Sequence, residues 1–77
     1  MTLAYALARA VPVRLAVYDA FGRRVRVLRD GASQDAGEHR LSWDGRDELG
    51  RAAAPGVYLA RLVAGDEVRD RRLILLR

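Results

Sequence analysis

The stretch Trp43-Asp44-Gly45-Arg46-Asp47-Glu48-Leu49-Gly50-Arg51-Ala52-Ala53-Ala54-Pro55-Gly56-Val57-Tyr58 decides how the chain is read. A strand ends on a large aromatic residue. A polar loop with glycines at 45, 50 and 56 follows, and a second strand starts on Gly-Val-Tyr. Trp43 and Tyr58 each sit on a strand otherwise built of aliphatic residues, so both are expected in the core. Asp44-Gly45 and Pro55-Gly56 then read as the corners that join those strands.

Working outward, the same punctuation recurs. Glu38–Trp43 alternates, placing His39, Leu41 and Trp43 on one face with His39 near its rim. Gly56–Ala64 is almost continuously apolar, as expected of a central strand. Gly65-Asp66 is a two-residue hairpin turn into Glu67–Leu76, which is charged first and apolar later. Upstream, Leu3, Tyr5 and Leu7 alternate with smaller residues. Val13, Leu15 and Val17 share one face of a second strand, against Arg14, Ala16 and Tyr18. Asp19-Ala20-Phe21-Gly22 is a tight turn, and Arg23–Arg29 returns with Val25 and Val27 on one side. Ala8–Val11 is expected to be a connector and Asp30–Gly37 a polar loop. About six short strands with regular turn signals predict an all-β antiparallel sandwich.

Composition narrows the function. The chain has 77 residues and no Cys, so one small domain is expected, without disulfides or a thiolate metal site. Net charge is +4, and every one of the 14 basic residues is Arg. The arginines are spread among 10 acids, with no basic stripe interleaved with aromatics. We read them as a compositional preference for Arg and Ala, and expect no nucleic-acid partner. No apolar run reaches the roughly 18 to 20 residues of a membrane helix. Met1–Val13 lacks the basic start of a signal peptide.

Candidate chemistry is sparse. Asp44, Asp47 and Glu48 offer hard oxygen ligands for Ca²⁺. Their spacing departs from the Asp-x-Asp-x-Asp-Gly pattern, and turn capping accounts for them more simply. His39 has no obvious nucleophile or orienting partner. Asp19 and Asp44 close strands in turn contexts. Gly22, Gly45, Gly50 and Gly56 precede no helix that would bind phosphate. Tyr5, Tyr18, Trp43 and Tyr58 would stack bases or sugars if exposed. No enzyme, metal or cofactor is expected.

Six ordered pieces then resemble a known family. They are Leu3–Leu7; Val13–Asp19 with Gly22-Arg23; Gly37-Glu38-His39 leading to Trp43-Asp44-Gly45; Gly50-Arg51; Pro55-Gly56-Val57-Tyr58; and Arg72–Arg77. This set resembles the immunoglobulin-like domain of the flagellar hook-capping protein (FlgD) and the related C-terminal sorting domains of type IX secretion cargo. The resemblance covers nearly the whole chain. It implies an immunoglobulin-like sandwich of six to seven strands, spanning 1–77 as the C-terminal module of a longer bacterial protein. It implies an extracellular or cell-surface location and a protein partner. Sorting or attachment by export machinery is the first function it implies, with Arg71, Arg72, Leu73, Ile74, Leu75, Leu76 and Arg77 as the signal. A structural module of a hook-cap scaffold is the alternative. A carbohydrate or nucleic-acid binding module is a third reading. Trp43, Asp44, Gly45, Gly56 and Tyr58 form the structural motif.

Overall fold

A computed structural model describes residues 1–76. It contains β1 (Thr2–Leu7), β2 (Val11–Asp19), β3 (Arg24–Gln34), β4 (Gly37–Ser42), β5 (Gly56–Ala64) and β6 (Glu67–Leu75). All pairings are antiparallel. β1 and β4 make a two-stranded sheet, and β3-β2-β5-β6 make a four-stranded one. The two face each other as a sandwich.

Alternation explains the core. Leu3 and Leu7 from β1 meet Val11, Val13, Leu15 and Val17 from β2. Tyr58, Ala60 and Leu62 from β5, Leu73 from β6 and Trp43 complete the cluster. β2 and β5 contribute residues spaced by two, because successive side chains point to opposite faces of a sheet. β5 lies between β2 and β6 as its apolar run requires. Its outer face is not covered, however, and Val57 and Arg61 are exposed there.

Two expectations fail at β3. Asp30–Gly37 is not a loop: β3 continues to Gln34, and its end pairs Pro12 with Ser33 and Val11 with Gln34. Backbone pairing to β2 overrides the polar composition, since an exposed edge strand has no need of apolar side chains. The turn into β4 is reduced to Asp35-Ala36. For the same reason β2 begins at Val11, inside the expected connector.

Nor is strict alternation kept within β3. The register with β2 shifts three times. Leu15 and Ala16 pair with Arg29 and Val27, and Val17 and Tyr18 with Arg26 and Arg24, so Leu28 and Val25 are the extra residues of two bulges. Both pack against the core. A bulge turns the unpaired residue out of the regular pleat. Here that puts Val25 and Leu28, three apart, on the same inner side, while Val27 is absent from the core cluster.

Candidate functional site

Trp43 is the anchor of the central stretch. It is 1% exposed and meets Tyr58 edge to face, with ring centroids 5.3 Å apart at 65°, a favoured aromatic geometry. Its indole Nε1–H donates to the Arg46 carbonyl at 3.0 Å. The Tyr58 hydroxyl donates to the Ala54 carbonyl. Both rings therefore bury their bodies and spend their polar ends on the 44–55 segment. That segment is a miniature hairpin. Arg46 bridges Ala52, and the Ala53 N–H donates to Gly45 at 2.8 Å.

The tip of this hairpin repeats another turn of the molecule. Asp19-Ala20-Phe21-Gly22-Arg23 and Asp47-Glu48-Leu49-Gly50-Arg51 share the spacing Asp-x-x-Gly-Arg. In the first, Asp19 Oδ1 accepts from the Phe21 and Arg23 N–H groups at 2.9 and 3.0 Å, and Oδ2 from Arg23 Nε at 2.9 Å. In the second, Asp47 Oδ1 accepts from Leu49 and Arg51 at 2.9 and 3.0 Å, and Oδ2 from Arg51 Nε at 3.1 Å. Gly22 and Gly50 sit at φ +81° and +79°, a left-handed conformation that costs other residues free energy. The backbone N–H of Arg23 is the main reason Asp19 titrates below its ordinary value, and that of Arg51 does the same for Asp47. Sequence reasoning recognised the first turn and missed that the second has the same spacing.

These bonds settle what the three acids of the loop do. Asp44 Oδ1 accepts from the Arg46 N–H at 3.0 Å and faces Arg26 Nη1 at 3.3 Å. Asp47 is taken up by its own turn. Glu48 Oε1 accepts from the Val27 N–H at 2.6 Å, and the Glu48 N–H donates to the Val25 carbonyl at 3.2 Å. The three carboxylates thus point to three different tasks. Among the described residues, no group of three or more potential ligands is placed to hold a metal ion. Glu48 instead occupies the open edge of β3. Arg26 holds the loop down through the Arg46 and Asp47 carbonyls. Neither role was legible from the sequence, because both join residues about twenty positions apart.

His39 lies where alternation puts it. It stacks on Tyr5, directly opposite in the β1–β4 pair, at 5.3 Å and 19°. Its Nε2 is 2.7 Å from the Asp35 carbonyl. The Tyr5 hydroxyl donates to Gln34. Among the described residues, no acid and no serine or threonine hydroxyl bonds to this set.

The predicted terminal signal is not one surface. Leu73 is buried in the core, and Leu75 packs against it from the rim. Ile74 and Leu76 are exposed, with Ile74 opposite Val57 on the outer face. Arg72 lies opposite Leu59, which separates it from Tyr18 on β2. Arg71 lies on the other face, opposite Ala60. Arg77 falls outside the described residues. Across the same strand pair, Arg61 grips Asp70 with two bonds of 2.8 and 3.0 Å. Those bonds hold Asp70 below and Arg61 above its ordinary pKa. The surface also has an uncovered sheet face carrying Tyr18, Val57, Leu59 and Ile74.

Comparison with known proteins agrees with this architecture. The model of the family described as FlgD Ig-like domain matches residues 1–67. No curated protein matches. Among solved structures, FlgD from P. aeruginosa is similar, with a TM-score of 0.68 and 27% sequence identity. That similarity covers 92% of this chain and 55% of the other, so the chain spans about half of the FlgD it resembles. The family match ends before Arg71–Leu76, and neither similarity involves a type IX sorting domain. By its fold and by a match over most of its length, the chain belongs to the FlgD Ig-like domain family.

Proposed function

We propose that the chain is a non-catalytic assembly module of the flagellar hook-cap type, a part of a longer protein that works outside the bacterial cytoplasm. The observation that carries this reading is the family match over 1–67, joined to a FlgD structure similar over 92% of the chain. The chemistry is consistent with it. Polar side chains in the loops are spent on turns and on edge protection, and the uncovered sheet face suits contact with other subunits. The sorting reading loses its place as first choice. Its proposed signal lies beyond the family match, and one of its central residues, Leu73, is committed to the core.

The test is an in-frame deletion of this segment from the parent gene. Assembly of the extracellular structure is followed by electron microscopy, and export of the parent by fractionation. The expected outcome is a parent that is still exported and an assembly that fails. A parent trapped inside the cell would favour sorting instead, and normal assembly would overturn the proposal.

A further inference from the structure

The β1–β4 sheet has two strands and the other sheet has four, so the sandwich is unequally covered. On one side, the free edge of β1 faces β6 across a groove of about 230 Å³. Leu3, Leu15, Ala60 and Leu62 form its apolar floor, and Arg69 and Arg71 stand on the β6 wall. β1 pairs with β4 on its other edge. Backbone geometry says which groups of β1 look into the groove. Met1 and Trp43 exchange bonds of 2.8 and 3.0 Å. In an antiparallel pair such exchange occurs at every second residue. Leu3, Tyr5 and Leu7 therefore turn their polar groups toward β4, and Thr2, Ala4 and Ala6 turn theirs outward. The Ala6 carbonyl confirms the parity, since it accepts from Arg69 Nη1 at 3.3 Å across the groove. Among the described residues, no strand pairs with the outward N–H and C=O groups of Thr2 and Ala4.

Charge limits what can lie there. Arg69 is shared between Ala6 and Glu67. Arg71 projects on the groove face opposite the small residue Ala60, and among the described residues it has no ion-pair partner. An inward-pointing charge on an edge strand deters indiscriminate pairing. It also selects, because a strand bringing a carboxylate to that point is admitted where a neutral or basic one is penalised. A second copy's β1, Thr2–Leu7, carries no carboxylate. We propose that this groove captures an extended segment of a partner protein by β-augmentation. The added strand pairs with the Thr2–Ala4 edge, places aliphatic side chains over Ala60 and Leu62, and places one acidic side chain against Arg71. The inference does not depend on the hook-cap reading, since binding is measured on this chain alone.

The test uses capped heptapeptides in which threonine alternates with valine, glutamate and valine at the inward positions, with glutamine or lysine replacing glutamate in two controls. Binding to the 77-residue chain is followed by amide chemical shifts and titration calorimetry. The glutamate peptide is expected to shift and protect the Thr2 and Ala4 amides. It should bind about fivefold more tightly than the glutamine peptide, the scale of an exposed ion pair. Arg71→Glu should reverse the preference in favour of the lysine peptide. Ala4→Pro should abolish binding without disturbing the β4 ladder, because the Ala4 N–H faces outward. Equal affinity for all three peptides, unmoved Thr2 and Ala4 amides, or an unchanged preference in Arg71→Glu would each overturn the proposal.

Discussion

Trp43 joins three parts of the domain. Its backbone closes the β1–β4 pair at Met1, its ring meets Tyr58, and its N–H holds the loop at Arg46. Truncating a buried aromatic of this kind removes the transfer free energy of the ring and leaves a cavity. Trp43→Ala should cost about 3 to 5 kcal/mol in urea unfolding, a large part of the stability of a domain of this size. A Trp43→Ala variant that unfolds at the same urea concentration as the native chain would put the ring outside the core. At Gly22 and Gly50 the cost is of another kind. A Cβ at either position meets nothing within 4 Å, so the penalty is that of the left-handed backbone. Gly22→Ala and Gly50→Ala should each lose about 1 to 2 kcal/mol, read as a shift in the urea midpoint. Equal stability would mean that the turns relax to another conformation.

At the level of elements, the paired Asp-x-x-Gly-Arg turns tie stability to pH. Asp19 and Asp47 titrate below their ordinary values, chiefly through backbone N–H groups, and Asp70 does so through Arg61. A carboxylate whose pKa is lower in the folded state stabilises that state once pH exceeds its unfolded value, near 4. The contribution disappears as pH falls through the lower folded value. The urea midpoint should therefore hold steady from neutrality to about pH 4 and drop below it. In the double variant Asp19→Asn, Asp47→Asn that drop should be shallower, and an unchanged pH profile would show that other groups carry it.

The same elements show what the sequence made legible. β1 and β2 follow from apolar alternation, and β5 and β6 from apolar runs bounded by turn residues, all of them local signals. β3 did not, because its bulges at Val25 and Leu28 break the period and Asp30–Gln34 looks like loop. Its polar end is a strand only because β2 pairs with it. In the 44–55 segment, local spacing accounts for the corner residues and Asp47. The Glu48 bond to Val27 and the Arg26 tether belong to the tertiary structure, and no local pattern encodes them. The twin turn was in plain view, as Asp, Gly and Arg at the same spacing twice.

For the molecule as a whole, a four-stranded sheet is half covered by a two-stranded one. That imbalance leaves the groove beside β1 open, while the outer face of the four-stranded sheet is the side turned away from its partner sheet. The imbalance also suits a part that completes its surface against other subunits. The central claim, that this domain acts as a hook-cap-type assembly module, is tested most directly by grafting. Residues 1–76 replace the equivalent segment of P. aeruginosa FlgD in a strain lacking FlgD, and hooks are counted by electron microscopy, with export and folding of the chimera checked in parallel. The prediction is more hooks than in a strain carrying FlgD with that segment deleted. A folded, exported chimera that builds no more hooks than the deletion would contradict it.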